Sequence, residues 1–207
     1  MDNPARDVLA FLTKPAWYTG VFWLLLIGSI VIAGYCVARF PEQRRPGHVA
    51  KWVFRFLIGA MWWQQTLWKL PPYYTDHPEK PFGASGLAQW MKTMGTSAAI
   101  PAQADFVNHI VLPHFYWFAP VVYSLEVLTG VSLMLGAFVR FWAFIGALQI
   151  LNLWLGLYNA WGEWPWNYFF LLVLQLMFAQ DQCGRSLGID AILTARPSHH
   201  RLLDLVS

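Results

Sequence analysis

Charged residues are scarce in this chain of 207 residues. Asp, Glu, Lys and Arg make up 12% of it, whereas hydrophobic residues make up 57% and the mean hydropathy is +0.40. A soluble domain carries about 25% charged residues, so this composition excludes a soluble globular domain, and it equally excludes a disordered or collagen-like chain. The net charge of +3 is small and the basic residues are scattered, so the sequence predicts no nucleic-acid binding.

Cysteine and histidine are also few, and their positions exclude several kinds of redox site. The two cysteines, Cys36 and Cys183, form no C-x-x-C pair and are expected near a reducing cytoplasmic face, which predicts no structural disulfide. All histidines lie outside the long apolar runs, which excludes a bis-histidine haem in the bilayer, and the spacing of His109 and His114 is poor for a metal site. Walker A, dinucleotide-binding and G-x-S-x-G motifs are absent. The sequence therefore encodes no metal site and no redox cofactor of its own.

Long apolar runs are what the chain has instead. A membrane-spanning helix needs about 20 mostly apolar residues, and continuous runs favour helices over the alternating segments of a membrane β-barrel. The sequence predicts an all-α integral membrane bundle. The five expected spans are Tyr18–Ala38, Trp52–Leu70, Phe115–Val139, Phe141–Ala160 and Trp166–Gln180.

The basic residues predict how these spans are oriented. Positive residues favour the cytoplasmic side of a membrane. The loops after the first and third spans and the tail after the fifth would share one side, and they hold Arg39, Arg44, Arg45, Lys51, Arg140, Arg185, Arg196 and Arg201. We therefore expect a multi-pass protein of a prokaryotic cytoplasmic (inner) membrane, with the N-terminus outside and the C-terminus in the cytoplasm. The first run is too long for a signal-peptide core and is expected to be a retained helix.

The loop between the second and third spans, Pro71–Pro113, has helical periodicity. Two short amphipathic helices are expected there, lying in the outer membrane interface with their apolar faces down. They are either a lid that shields the bundle or a cover over a site that opens from the outer leaflet. Their apolar positions are Leu87, Trp90, Met91 and Met94 in the first helix, and Phe106, Val107, Ile110 and Val111 in the second.

Tryptophan and tyrosine are concentrated in the expected outer half of the protein. An interfacial aromatic belt should be present at both membrane surfaces, so this imbalance indicates either a belt combined with a partner surface or a pocket for a flat ligand. Trp161, Trp164 and Trp166 are the candidates for the partner surface.

Polar residues at membrane depth are candidates for function. With a rise of about 1.5 Å per residue, Glu126 falls near the middle of its span, and Gln64, Gln65 and Asn152 share its layer, whereas Arg55 is too shallow to reach it. Glu126 is expected to be buried with one of these amides as partner. Two interpretations stay open: a polar contact that holds the helices together, or a proton-handling carboxylate beside a quinone or substrate.

A set of spaced residues resembles the DoxX/DoxD-like membrane protein family. The set comprises Arg55-x3-Gly59, Lys69 at the end of the same helix, Glu126-x3-Gly130, Leu133-Met134-Leu135-Gly136, Arg140, and the closing Gly184-Arg185-Ser186-Leu187-Gly188-Ile189-Asp190. The resemblance covers the last four spans. It implies a four-helix domain over residues 52–193, preceded by an additional helix and basic loop (1–51) and followed by a cytoplasmic tail (194–207).

The resemblance also implies a redox setting. The DoxD branch is similar to the membrane subunit of thiosulfate:quinone oxidoreductase, so quinone is the cofactor that it implies, together with bound lipid, and the implied partners are other membrane subunits. Arg55, Lys69, Glu126 and Arg140 match family positions, and Glu126 is the candidate catalytic residue. Two hypotheses result: an accessory subunit of a respiratory or photosynthetic complex without its own cofactor, or a quinone-reducing subunit. A transporter is not favoured because no inverted repeat is visible.

Overall fold

A computed structural model describes residues 3–195 of the chain, and this part is helical without a strand. The expectation of an all-α protein is confirmed for it. The nine α-helices of the described residues are α1 (Pro4–Thr13), α2 (Trp17–Arg39), α3 (Pro46–Thr66), α4 (Gly86–Ser97), α5 (Pro101–Phe106), α6 (Phe115–Leu135), α7 (Val139–Gly156), α8 (Pro165–Gln180) and α9 (Ile189–Thr194).

Three of these helices are long and apolar enough to cross a membrane: α2, α6 and α7. They mark the chain as a membrane protein. The expectation of five spans is supported for these three only. The other two expected spans correspond to α8, which has 16 residues, and α3, which has sufficient length but includes Lys51 and Arg55 among its residues.

The long helices form an up-and-down bundle in which α3 packs mainly on α6, and α7 mainly on α8. Two glycines permit the first contact. A Cβ at Gly59 would lie 2.9 Å from the carbonyl oxygen of Gly130, and a Cβ at Gly130 would lie 3.2 Å from the carbonyl oxygen of Gly59. The two helix backbones therefore touch at this crossing, as small residues in membrane bundles allow. The additional helix α2 lies against α6.

The segment between α3 and α6 folds over one end of the bundle, which we call the loop face. The helix α4 packs its buried residues Leu87, Met91 and Met94 on the bundle, as its periodicity predicts. The second amphipathic segment is different, because α5 continues into a π-helical turn over Val107–Val111. Val107 and Val111 are buried, whereas Phe106 and Ile110 are exposed, so two of the four apolar positions of this segment pack on the bundle.

At the opposite face, the turn between α6 and α7 meets the end of the described chain. α6 ends at Leu135, and Gly136, with a positive φ of 73°, is its left-handed C-cap. Glycine adopts this conformation without steric cost, and the next helix begins directly afterwards at Val139. This tight corner is held by α9 and the segment before it, as described below.

Candidate ligand site at a buried ion pair

Lys69 and Glu126 form a buried ion pair near the loop face. The Lys69 Nζ lies 2.5 Å from Glu126 Oε1, and the two side chains are only 6% and 5% exposed. A charged pair removed from water is costly unless it is well paired and hydrogen-bonded. The burial of this pair therefore carries a desolvation cost that the rest of the fold must offset. We call Lys69 and Glu126 the paired cluster.

Local structure brings the lysine to the glutamate. The helix α3 ends at Thr66, and a single 3-10 turn, Leu67–Lys69, follows it. This turn directs Lys69 back toward the bundle, where its Nζ also lies 4.3 Å from the centre of the Trp68 ring. A cation over an indole face is stabilised by the ring quadrupole. The lysine charge is thus held by a carboxylate and an aromatic ring together.

Two cavities border the paired cluster. The first, which we call the lid cavity, has a volume of about 140 Å³ and lies beneath Leu87, Met91 and Met94 of α4. The second, the bundle cavity, has a volume of about 150 Å³ and is bordered by Trp62 and Leu171. Both are lined by Gln65, Lys69, Glu126, Leu153 and Tyr168. An apolar cavity of roughly 150 Å³ accommodates one benzene molecule, so each cavity has the size of a single ring.

Two polar atoms at these cavities lack a protein partner. Glu126 Oε2 is buried and has no hydrogen-bond partner among the described residues, and the same holds for Nε1 of Trp62. Buried polar groups in proteins are normally satisfied. The site therefore offers a ligand one free acceptor and one indole donor, beside the ammonium group of Lys69.

The amides expected to pair with Glu126 have other positions. Gln64 and Gln65 are exposed and hydrogen-bond each other at 3.3 Å, although Gln65 also lines both cavities. Asn152 lines the lid cavity, but its Oδ1 accepts a hydrogen bond from Gln103 of α5 at 3.0 Å. Lys69 is the actual partner. A helix-depth estimate missed this contact because it placed Lys69 at the membrane edge and did not allow for the turn and the long side chain.

Arg55 belongs to a separate buried cluster at the opposite face. It is 0% exposed, and its Nη2 donates to the carbonyl oxygen of Ser186 at 3.5 Å. Its guanidinium lies against two glycines: a Cβ would come within 1.7 Å of Nη1 at Gly136 and within 2.9 Å at Gly188. Arg55 does not reach Glu126, in agreement with its expected depth. We call Arg55, Gly136, Ser186, Gly188 and Asp190 the capped cluster.

Asp190 closes the capped cluster by binding the first residues of α7. Its Oδ1 accepts from the backbone N–H of Phe138 at 2.7 Å and its Oδ2 from that of Val139 at 3.0 Å. The Asp190 N–H donates to the carbonyl oxygen of Gly136 at 2.8 Å. Burial raises the pKa of Asp190, while these N–H groups and the charge of Arg55 oppose that rise. A carboxylate at a helix N-terminus satisfies the donors that the helix leaves free.

Further contacts fasten the segment before α9 to the bundle. Gln43 donates to the carbonyl oxygen of Arg185 at 3.0 Å and accepts from the N–H of Leu187 at 2.9 Å. His48 Nδ1 lies 2.9 Å from Ser186 Oγ. The closing motif of the family resemblance is therefore a structural clasp, made largely of backbone groups.

The remaining candidates lie away from the paired cluster. Arg140 is half-buried at the start of α7 on the opposite face, where it borders a surface groove with Phe141 and Gln180. Trp161 is fully exposed beside the start of α8, and Trp164 and Trp166 are exposed by 55% and 48%. Among residues 3–195, no group of three or more His, Cys, Asp and Glu side chains is arranged to hold a metal ion.

Comparisons of the chain with protein-family models, curated proteins and solved structures find no match.

Proposed function

We propose that the chain is an integral membrane subunit of a larger redox complex, respiratory or photosynthetic, and that it binds a quinone ring beside Lys69 and Glu126. The observation that carries the ligand site is the buried ion pair bordered by two ring-sized cavities. The spaced residues that resemble the DoxX/DoxD family support the redox setting. A quinone supplies electron and proton acceptance when it is bound, and a partner subunit would supply the electrons.

The residues at the bundle cavity fit such a ring. The cavity is lined mainly by apolar side chains, including Met61, Ile150 and Leu171, which suit a flat apolar ring. Its polar groups are few: the free indole N–H of Trp62 and the Lys69 ammonium can donate to a carbonyl oxygen, and Glu126 can accept a proton or a hydrogen bond. Mostly apolar walls with a few convergent polar groups are typical of small-molecule sites.

A cavity-filling variant tests this proposal. Leu171 lines the bundle cavity, whereas its neighbour Phe170 is 60% exposed on the other side of α8. We expect a short-chain quinone to raise the thermal midpoint of the purified full-length chain, since a ligand that binds the folded state stabilises it. Leu171→Trp should abolish this shift and Phe170→Trp should keep it. An equal shift in both variants would contradict quinone binding in this cavity.

The five-span arrangement and its direction are part of the proposal. In the middle turns of α3 and α8 the exposed residues are apolar and a buried residue is polar, which is the pattern of helices that face lipid. The exposed amides of these helices lie in the first or last turn: Gln64, Gln65, Asn167 and Gln180. Phe54 and Leu57 of α3 are 60% and 57% exposed while Arg55 is buried, and in α8 Met177 is 54% exposed while Gln175 is buried. We propose that α3 and α8 span as well, with the N-terminus outside and the loop face external.

Thiol labelling in intact cells tests the direction. Ala84 at the loop face and Glu42 at the opposite face are both exposed. Gln43 is unsuitable because it is buried in the clasp. With an impermeant reagent, Ala84→Cys should be labelled and Glu42→Cys should be labelled only after lysis. The reverse pattern would invert the topology.

The second candidate function is an accessory subunit that binds partners and performs no chemistry. The exposed tryptophans Trp161, Trp164 and Trp166 favour it, because buried tryptophans carry a large share of interface energy. Changing Trp164 and Trp166 to Ala should release the chain from the complex isolated in mild detergent. Trp17, which is 62% exposed in α2, provides the matched control. If turnover of the complex is unchanged by Glu126→Gln, this function replaces the quinone site.

A further inference from the structure

A third, more open cavity lies at the loop face beside the lid cavity. This cavity, which we call the vestibule, has a volume of about 370 Å³ and is bordered by Asp76, His77 and Lys80. It shares Gln65, Trp68 and Trp90 with the lid cavity. The vestibule is therefore polar and charged, and it adjoins the lid cavity through the same residues that line both.

Two indoles lie at this junction. The ring centres of Trp68 and Trp90 are 6.1 Å apart with their planes inclined by 52°. Trp68 belongs to the turn that positions Lys69, and Trp90 belongs to α4, which covers the lid cavity. A rotation of one indole side chain would join the two spaces without unfolding a helix, and such rotamer changes are among the fastest protein motions.

The lid cavity is suited to a ligand that differs from the occupant of the bundle cavity. It shares Trp68 and Trp90 with the vestibule, whereas the bundle cavity shares neither, so the vestibule adjoins the lid cavity and not the bundle cavity at these two indoles. Its volume of about 140 Å³ limits the ligand to a single ring or less. Glu126 lines this cavity as well as the bundle cavity, its unpartnered Oε2 requires a hydrogen-bond donor, and Lys69 already balances the charge of the carboxylate.

We propose that the lid cavity is a binding site for a small uncharged hydrogen-bond donor of phenol size, which enters from the aqueous phase at the loop face between Trp68 and Trp90. The ligand donates its hydroxyl hydrogen to Glu126 Oε2 and packs its ring on Leu87 and Met91. This site goes beyond the proposed function, because it does not require a quinone in the bundle cavity.

Protection of an engineered cysteine tests the proposal. Met91 lines the lid cavity, and the parent chain provides a blank because Cys36 and Cys183 are buried. In the full-length chain in proteoliposomes, Met91→Cys should react with a small cationic methanethiosulfonate. Phenol should protect it at a concentration at least ten times lower than toluene, which has the same size without the hydroxyl donor, because a hydrogen bond to a charged group contributes at least this factor.

Further variants test whether the protection of Met91→Cys depends on the proposed contacts. The double variant Lys69→Met/Glu126→Leu removes the acceptor and its counter-ion together and leaves no hydrogen-bonding group, so the preference for phenol over toluene should disappear. Trp90→Ala should accelerate the labelling of Met91→Cys at least tenfold, whereas Trp117→Ala, an 80% exposed residue of α6, should not. Leu171→Trp should leave phenol protection unchanged, which separates this site from the quinone site.

Several results would contradict this binding site or its entry path. Equal protection by phenol and toluene, or a preference that survives in Lys69→Met/Glu126→Leu, would overturn the role of Oε2. An absence of labelling of Met91→Cys, or equal rates with and without Trp90, would overturn entry from the vestibule. A thermal midpoint of the parent chain that phenol raises more than toluene is a second measurement that needs no cysteine, and an equal rise with both would also count against the proposal.

Discussion

Arg55 projects from α3, and Lys69 lies in the turn that follows this helix; both cations are buried, but their surroundings differ. Arg55 is enclosed by backbone: the carbonyl of Ser186 and the glycines Gly136 and Gly188 lie against its guanidinium. Lys69 has one carboxylate partner and two cavities beside it. In the capped cluster, backbone packs closely on the guanidinium of Arg55. In the paired cluster, two cavities lie beside the charged groups of Lys69 and Glu126.

This difference indicates which cluster has a functional role. The glycines beside Arg55 admit no Cβ, and this close packing holds a corner between helices. Both clusters hold buried polar atoms without a partner among the described residues: Nε and Nη1 of Arg55 in one, and Oε2 of Glu126 in the other. The paired cluster also borders two ring-sized cavities, and such sites are candidates for ligand binding. The proposal of ligand binding therefore concerns the paired cluster, whereas the contacts of the capped cluster hold the corner between α6 and α7.

The largest expected effect concerns the paired cluster. Glu126→Leu should lower the free energy of unfolding by about 3–5 kcal/mol, because it leaves the Lys69 charge buried without a counter-ion. The double variant Lys69→Met/Glu126→Leu should recover most of this loss, because an apolar pair of similar volume is often neutral. Denaturant unfolding in detergent measures both values. A double variant as unstable as Glu126→Leu would show that the cost lies in packing and not in charge.

A smaller effect is expected at the corner of the capped cluster. Gly136→Ala places a Cβ 1.7 Å from Arg55 Nη1 at a φ of +73°. Left-handed strain and overpacking together should cost about 2–4 kcal/mol. Gly34→Ala in α2 is the matched control, since nothing lies within 4 Å of its Cβ, and it should be neutral or slightly stabilising. Equal thermal midpoints for the two variants would mean that the corner is not tightly packed.

The sequence was sufficient for the helical class and for most helix positions, because apolar runs and α4 periodicity are local signals. It also indicated that Glu126 is buried and that Gly130 allows a close helix approach. It did not predict the partner of Glu126, since a 3-10 turn after α3 and the reach of Lys69 depend on the packed structure. The clasp was recognised as a motif, but its role was not predicted, because backbone groups that lie far apart in the chain bind Asp190 and Arg55.

The smallest expected effect distinguishes a clasp from a surface charge. Asp190 uses both carboxylate oxygens on the N–H groups of Phe138 and Val139, and an Asn in its place offers only one acceptor. Asp190→Asn should therefore lower the free energy of unfolding by about 1.5–3 kcal/mol, the contribution of a hydrogen bond to a charged group. Asp181 is the matched control: it pairs with Lys51 at 3.4 Å, and both side chains are exposed, by 54% and 41% respectively. Asp181→Asn should change stability by about 0–1 kcal/mol, and less at high salt. Denaturant unfolding of both variants at two salt concentrations measures the difference. If Asp190→Asn is as mild as Asp181→Asn, the end of the described chain is not a clasp, and the capped cluster loses the structural role that separates it from Lys69 and Glu126.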